Sequence, residues 1–251
     1  MLQRAASALG KTDRPNPDRP RGYIAARSLP LLYVNMPKSG CTTIKNILQH
    51  FDAGAFIADP LTIHKRKDLL VRVEREPDEI VRRLGRDPVF TFVRHPLQRA
   101  YSCFNEKVHF QTPYSFPRVR ATIAADYGGR FEPAPSADLH RENFKAFLRF
   151  AEDSFRGRNA WRRDPHWCPQ TMVLQSARRW RLVDFIGRVE RFDADLGIAL
   201  GLAGARLDFE VPRMNEGPAA PWPYAAMLDD EVRALAAGFF AEDLRSLGYG
   251  L

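Results

Sequence analysis

The sequence predicts an α/β fold, a single domain in which helices flank a parallel sheet. Two strand–loop–helix units of the same build carry this prediction, one over residues 31–51 and the other over residues 89–108. The length of 251 residues also suits one well-buried domain, or at most two small ones. Because the carboxyl ends of neighbouring parallel strands meet at one edge of a sheet, we expect a ligand at these two loops.

The N-terminal segment is unlike the rest of the chain in composition. Residues 1–29 are rich in Arg, Pro and Asp, which is typical of a segment without a packed core. We therefore predict a flexible N-terminal arm over residues 1–29 and a folded domain over residues 30–251.

The first unit begins with an apolar run at residues 31–34, which predicts a buried strand. The apolar residues of one helix face follow at i, i+3, i+4 and i+7: Ile44, Ile47, Leu48 and Phe51. Between strand and helix, Lys38 brings a full positive charge and Gly40 lets the backbone approach a ligand. The first turn of the helix adds free N–H groups and the positive end of its dipole. Together these features predict a site for a phosphate or sulfate group.

The second unit begins at residues 89–93, which are β-branched or aromatic throughout and predict another strand. Pro96 suits the first turn of the helix that follows. Residues 109–138 carry Pro, Gly and aromatic residues and predict a long insertion near the mouth of the substrate site. The remaining elements are helices over residues 141–156 and 190–202, a buried strand over residues 182–186, and a last helix capped by Asp229 or Asp230.

Composition narrows the classes of function. The net charge of +8 fits either a basic surface kept for solubility or an anionic ligand. Nothing resembles a nucleic-acid-binding motif, so we expect no nucleic-acid partner. The three cysteines, Cys41, Cys103 and Cys168, are too sparse for a disulfide framework or a zinc site, and they favour a reducing compartment. No apolar run has the length of a signal peptide or membrane span, so we expect a cytoplasmic protein, or one released from a longer precursor.

Three blocks in order along the chain resemble the motifs of one enzyme superfamily. PKSGCTT, residues 37–43, is a poor match to an ordinary nucleotide-binding P-loop because Lys38 precedes the only glycine, but it resembles the 5′-phosphosulfate loop of sulfotransferases. FVRHPLQRAYS resembles their 3′-phosphate motif, and DPHWCPQ followed by VDFIGRVE resembles two later segments. The chain thus resembles the sulfotransferase superfamily that uses 3′-phosphoadenosine-5′-phosphosulfate (PAPS). Cys41 makes the loop similar to family 2 carbohydrate sulfotransferases of the chondroitin 4-O- and HNK-1 type.

The resemblance implies a P-loop fold with a parallel sheet like that of nucleotide kinases. It also implies direct in-line transfer of a sulfuryl group from PAPS to a hydroxyl, without a metal. The other product would be adenosine 3′,5′-bisphosphate. Lys38 would neutralise the charge that develops toward the leaving 5′-phosphate. Arg94 and Ser102 would hold the 3′-phosphate. The residues that would hold the 5′-phosphosulfate are Pro37, Lys38, Ser39, Gly40, Cys41, Thr42 and Thr43.

The general base is a histidine in this interpretation, and two candidates remain open. His64 lies between the two phosphate units, at a position similar to that of a histidine in related glycan enzymes, although its neighbours differ. His166 lies in the DPHWCPQ block, where packing or substrate contact is an equal alternative. His95 directly follows Arg94 and is interpreted as an ordinary loop histidine.

A basic, tryptophan-bearing loop offers a surface for the acceptor, which we expect to be a glycan or another hydroxyl-bearing molecule. Its residues form either a platform with a positive rim for an acidic saccharide or a solvated loop over core tryptophans. They are Trp161, Trp167, Arg156, Arg158, Arg162 and Arg163. We expect membrane contact to be at most peripheral, if the acceptor is lipid-linked.

Two other functions compete with sulfuryl transfer. A Mg²⁺-dependent P-loop kinase or nucleotide hydrolase could use the same sheet, with Asp184 as a faint candidate for the metal ligand. A non-catalytic anion- or glycan-binding module would keep the basic surface but would tolerate the loss of Lys38.

Overall fold

The computed structural model describes residues 22–175, 182–212 and 220–251. In this part of the chain, five strands form one sheet in the order β3-β1-β2-β4-β5. The strands are β1 (Tyr23–Ala25), β2 (Leu32–Val34), β3 (Val71–Arg72), β4 (Val89–Val93) and β5 (Phe185–Arg188). The α/β prediction is confirmed.

The sheet is mixed rather than parallel throughout, which corrects the prediction. β2, β4 and β5 are parallel, whereas β1 is antiparallel to both β2 and β3. Only residues 26–31 join β1 to β2. A parallel crossover needs a dozen residues or more, so this short link forces the antiparallel pairing.

The strand β1 also corrects the predicted N-terminal boundary. Tyr23 and Ala25 are completely buried, and β1 pairs with strands on both sides. Residues 22–29 therefore belong to the folded domain and not to the predicted arm. The run of three apolar residues was too short to stand out beside Arg- and Pro-rich sequence; residues 1–21 of the predicted arm lie outside the described residues.

Helices cover the sheet and extend beyond it. Their bounds are α1 (Cys41–Ala53), α2 (Pro60–Lys65), α3 (Pro77–Arg83), α4 (Pro96–Cys103), α5 (Pro117–Asp126), α6 (Ala137–Arg156), α7 (Gln170–Gln175), α8 (Phe192–Gly201), α9 (Asp230–Phe239) and α10 (Ala241–Leu247). A π-helical segment, Phe104–His109, continues α4. The cap of the last predicted helix is Asp229, whose Oδ1 accepts from the Val232 amide at 2.8 Å, and this helix divides into α9 and α10.

Alternating side chains of the strands face two apolar layers. Tyr33 and Phe90 pack with α1 and α8 on one face of the sheet. Leu32 and Val89 point to the opposite face, where they pack with α7 and α10. A third apolar cluster joins α4, α5, α6 and α9 beside the sheet. This helical unit contains the predicted insertion, residues 109–138, and forms one wall of the site described below.

Candidate active site

The loop over residues 37–43 lies between β2 and α1 and is shaped by left-handed backbone. Lys38 has a φ of 66° and Gly40 a φ of 75°, and a positive φ is uncommon for a residue with a side chain. A Cβ on residue 40 would lie 2.6 Å from the Phe192 ring, so only glycine fits there. Because Gly40 is also the N-cap of α1, no N-cap side chain competes for its first-turn N–H groups, which suits an anion site.

Lys38 is held by a carboxylate that the sequence analysis missed. Its Nζ lies 2.7 Å from Oε2 of Glu106, and Nζ of Lys107 lies 3.2 Å from the same oxygen. Burial would raise the pKa of Glu106, but the two ammonium groups outweigh burial and lower it. Glu106 and Lys107 lie on the π-helical segment, a rare structure that is frequent at functional sites.

The second loop follows β4 and contains Arg94, with Ser102 on the helix behind it. The side chain of Gln170 holds the backbone of Arg94: its Oε1 accepts from the Arg94 amide at 3.0 Å and its Nε2 donates to the Arg94 carbonyl at 2.9 Å. The same Oε1 accepts from Ser39 Oγ at 3.3 Å. Gln170 is completely buried and therefore connects the two predicted phosphate loops. Burial lowers the pKa of the Arg94 guanidinium against the opposing effect of Glu190.

Two adjoining cavities lie between these loops, with volumes of about 650 Å³ and about 480 Å³. The residues common to both are Lys38, Arg94, Ser102, Glu106, Pro113 and Tyr114. We call the two cavities together the cleft. The smaller cavity is lined by the residue 37–43 loop, the larger one by aromatic side chains such as Tyr101 and Tyr224. The cleft therefore brings both predicted anion-binding groups together.

His64 lines the smaller cavity among cations. Its Nε2 lies 2.9 Å from Thr42 Oγ1, and its Nδ1 lies 3.5 Å from Lys45 Nζ. Burial lowers its pKa to about 4, and the charges of Lys45, Lys107 and Arg72 act in the same direction. His64 is thus a neutral imidazole at neutral pH, with a partner at each nitrogen.

His166 lines the same cavity, but it is bonded to a carboxylate rather than placed among cations. Its Nδ1 lies 2.6 Å from Asp164 Oδ1, and the ring of Phe116 meets its edge at 5.6 Å. Burial would raise the pKa of Asp164, but the hydrogen bonds from His166 outweigh it and lower this pKa. His95, in contrast, contacts the Gly250 carbonyl through Nε2 at 2.7 Å and does not line the cleft.

The tryptophans and arginines of the predicted rim do not form one surface in the structure. Trp167 is only 2% exposed and packs in the core, so it is not a platform for a ligand. Arg156 and Arg158 form ion pairs with Glu152 and Asp153. The remaining members, Trp161, Arg162 and Arg163, line a separate cavity, to whose wall Trp167 also contributes.

The described residues contain no cluster of three or more His, Cys, Asp or Glu side chains suited to a metal ion. Asp184, the faint candidate for a metal ligand, accepts a hydrogen bond from the Val89 amide at 2.8 Å. Its carboxylate therefore lies at the start of β4 and does not line the cleft. No helix among these residues combines the length and apolar character needed to span a bilayer.

A model of the sulfotransferase family matches residues 21–249, which is most of the chain. The chain belongs to the sulfotransferase family. The resemblance stated from the three sequence blocks is thus confirmed, and the match begins close to β1, the strand that the sequence analysis placed in the arm.

Curated relatives carry carbohydrate sulfotransferase names. Carbohydrate sulfotransferase 14 of Homo sapiens is 30% identical over 165 residues, which are 65% of this chain and 42% of that protein. Carbohydrate sulfotransferase 9 of Homo sapiens is 25% identical over 191 residues, 74% of this chain and 42% of that protein. Carbohydrate sulfotransferase 8 of Homo sapiens is 24% identical over 191 residues, 74% and 43% respectively. The chain therefore spans less than half the length of these relatives. No solved structure is significantly similar to it.

Four residues of this family member's site escaped the sequence analysis: Glu106, Lys107, Asp164 and Gln170. Two of them, Glu106 and Gln170, meet their partners from distant segments of the chain. Glu106 meets a lysine 68 residues away, and Gln170 meets Ser39 from a distance of 131 residues. Arg99 is completely buried. It donates to the Pro37 carbonyl at 2.9 Å and to the Cys168 carbonyl at 2.9 Å, and so fixes the first loop against the DPHWCPQ block.

Proposed function

We propose that the protein transfers the sulfuryl group of PAPS to a hydroxyl of a carbohydrate acceptor. The observation that carries this proposal is the convergence of Lys38 and Arg94 on one cleft, with Gln170 connecting their loops. A donor with anionic groups at both ends of an adenosine matches two separate cationic loops. Family membership and the carbohydrate sulfotransferase names of the relatives support the same reaction.

The donor would lie with its 5′-phosphosulfate on the residue 37–43 loop, which we propose acts as a P-loop. The N–H groups at the start of α1 would hold the phosphosulfate oxygens. Lys38 would exchange Glu106 for the donor, while Glu106 keeps Lys107 as its partner. Arg94 forms no ion pair in the described part of the chain, so its guanidinium is free to take the 3′-phosphate beside Ser102.

We propose His166 as the general base. A carboxylate on Nδ1 holds the proton on that nitrogen, so Nε2 carries the lone pair that accepts a proton from the acceptor. The hydroxyl oxygen would then attack sulfur as the bond to the 5′-phosphate oxygen breaks. Lys38 would neutralise the charge that develops on that leaving oxygen. Transfer would be in line, and trapping of a labelled sulfo-enzyme in the absence of acceptor would contradict it.

His64 is the weaker candidate for this role. Lys45 can only donate to Nδ1, so the ring proton lies on Nε2 and points to Thr42, and neither nitrogen offers a lone pair to a substrate. An imidazole with a pKa of about 4 is also a weak base at neutral pH. We propose that His64 instead orders Thr42 at the phosphosulfate loop.

The test is transfer from ³⁵S-labelled PAPS to a panel of oligosaccharides, together with the binding of adenosine 3′,5′-bisphosphate. Lys38→Ala should lower kcat by about 10²–10³-fold, because it removes a charge used mainly in the transition state. Arg94→Ala should weaken bisphosphate binding by about tenfold or more and change kcat less. Arg86→Ala, which removes an exposed charge outside the cleft, is the control and should change neither.

Two outcomes would redirect the assignment. If the wild-type protein does not bind the bisphosphate, the donor proposal fails. Transfer that survives EDTA would disfavour the rival P-loop kinase, whereas Mg²⁺-dependent hydrolysis of ATP would support it. Unchanged glycan binding in Lys38→Ala, without transfer by the wild type, would favour the non-catalytic module.

A further inference from the structure

A third cavity, of about 600 Å³, lies beside the cleft. Ser115 and Phe116 line both the cleft and this cavity. Asp164, which holds His166, also lines it. The cavity therefore adjoins the cleft beside His166, and Arg94 does not line it.

The arginines of the cavity differ from those around it in how they are paired. Arg118, Arg162 and Arg163 line the cavity, are exposed, and form no ion pair within the described residues. Arg163 is held by Phe155, because its Nε donates to the Phe155 carbonyl at 2.7 Å and its guanidinium lies over the Phe155 ring. Arg156 and Arg158, which do not line the cavity, are paired with carboxylates. Asp164, the one acidic residue among the described residues that line this cavity, is already hydrogen-bonded to His166. The cavity thus presents positive charge that the protein itself does not neutralise.

The position of Arg118 gives no benefit to its own helix. It lies in the first turn of α5 (Pro117–Asp126), where a cation opposes the helix dipole and an acidic residue would be favoured. A charge that is unfavourable locally and lacks an ion-pair partner suggests a role toward a ligand.

Trp161 provides a fixed aromatic surface next to these charges. Its indole Nε1–H donates to Thr122 Oγ1 at 3.2 Å, and the ring packs edge-on against Phe150 at 5.8 Å. Phe116 lines the same cavity. Held aromatic rings pack against the C–H faces of sugars, and guanidinium groups bind carboxylates and sulfates through paired hydrogen bonds.

We propose that this cavity is a subsite for an anionic sugar unit of the acceptor, one that carries a carboxylate or a sulfate. It would hold the unit next to the one whose hydroxyl lies at His166. The inference rests on the proposed function for the identity of the acceptor, and it adds the acceptor's chemical class. Arg118 and Arg162 would bind the anionic group, and Trp161 would pack against the ring.

A matched pair of oligosaccharides tests the subsite. One is an unsulfated chondroitin hexasaccharide, which carries uronate carboxylates, and the other is the same hexasaccharide with these carboxylates reduced to alcohols. The dissociation constant of each is measured with adenosine 3′,5′-bisphosphate present. The affinity for the bisphosphate is measured separately, so that a failure of the donor site is seen independently.

Two double variants remove the same amount of charge. Arg118→Ala/Arg162→Ala removes two arginines that line the cavity and form no ion pair, and Arg156→Ala/Arg158→Ala removes two ion-paired arginines that do not line it. We expect the first to weaken binding of the uronate hexasaccharide by about tenfold or more and the second by less than about threefold. Binding of the bisphosphate should be unchanged in both, and the carboxyl-reduced hexasaccharide should bind all proteins equally weakly. In transfer assays the first variant should raise the acceptor KM and leave kcat nearly unchanged.

Several results would overturn the subsite. Equal losses in the two double variants would show that only the general positive field matters. Equal affinity for the two hexasaccharides, or tighter binding of a short single-stranded oligonucleotide, would contradict recognition of an anionic sugar. Binding of the bisphosphate without binding of either hexasaccharide would overturn the subsite but leave the proposed function standing. If the wild type does not bind the bisphosphate but still binds the uronate hexasaccharide through Arg118 and Arg162, the subsite stands and the proposed function is overturned.

Discussion

His64 and His166 line the same cavity, yet the protein surrounds them with opposite charges. His64 is half-buried, and burial together with the charges of Lys45, Lys107 and Arg72 lowers its pKa to about 4. His166 donates from Nδ1 to the carboxylate of Asp164. The comparison teaches that the ability of a histidine to act as a base depends on the groups bonded to its two nitrogens. Its place between two motifs in the sequence carries much less information.

The largest difference between the two histidines should appear in turnover. His166→Ala is expected to lower kcat by about 10²–10⁴-fold, because it removes the group that accepts the acceptor's proton. Binding of adenosine 3′,5′-bisphosphate, measured by calorimetry, should stay within about twofold, since the proposed donor contacts lie on the two loops. Near-normal turnover in His166→Ala, together with a hundredfold loss in a His64 variant, would return the role of base to His64.

The pH dependence of kcat/KM is the next largest effect, about tenfold for each pH unit below the acid limb. A general base works only when it is unprotonated, so activity falls as the pH drops below its pKa. With a pKa of about 4, His64 as the base would leave the profile flat from pH 5 to pH 8. An acid limb between pH 5 and pH 8 that is missing from the residual activity of His166→Ala would therefore exclude His64 as the base and support His166. A flat profile over this range would instead favour His64.

Circular dichroism at each pH serves as the control for this profile. Burial, together with His109, lowers the pKa of His140 to about 4 in the folded protein, whereas an unfolded histidine has a pKa of about 6.5. Between these values the unfolded chain binds more protons than the folded one. The protein should therefore lose stability as the pH falls from about 6.5 toward 4, and activity lost through unfolding must be separated from activity lost at the base.

The sequence predicted the loops of this site well because their features are local. The apolar strand, the turn at Gly40 and the helix face that includes Ile44 all lie within residues 31–51, and the structure has them as expected. Strand β5 was predicted three residues early, at residues 182–186, because the apolar run begins before the pairing with β4 does. The sequence predicted the parallel strands β2 and β4, but it did not predict the antiparallel strand β1.

What the sequence could not provide is the pairing of groups across the fold. Glu106, on its π-helical segment, has no local pattern that connects it to Lys38, and Gln170 reaches both loops from the start of α7. Even Asp164, two residues before His166, gave no signal, because any Asp-x-His sequence can turn its carboxylate away. Electrostatic surroundings are formed by tertiary packing, so the choice between two histidines required the structure.

Asp164→Asn should have a smaller effect than the loss of His166, a decrease of about tenfold in kcat. An amide cannot stabilise the imidazolium that forms when the base accepts its proton, and it fixes the tautomer less firmly than a carboxylate does. Transfer assays measure this, with circular dichroism as the control for folding. A loss of activity accompanied by a changed spectrum would mean that Asp164 supports only the local fold around residues 164–168.

The smallest effect is expected for His64→Asn, a decrease of no more than about fivefold in kcat with a modest increase in the donor KM. Asparagine can still donate a hydrogen bond to Thr42, whereas His64→Leu cannot, and Thr42 lies in the loop proposed to hold the phosphosulfate. His64→Leu should therefore raise the donor KM by more than His64→Asn does, with kcat similar in the two variants. This split separates a residue that orders the donor loop from one that moves a proton. If both variants lose more than a hundredfold in kcat at an unchanged donor KM, His64 contributes directly to proton transfer and the contrast with His166 is wrong.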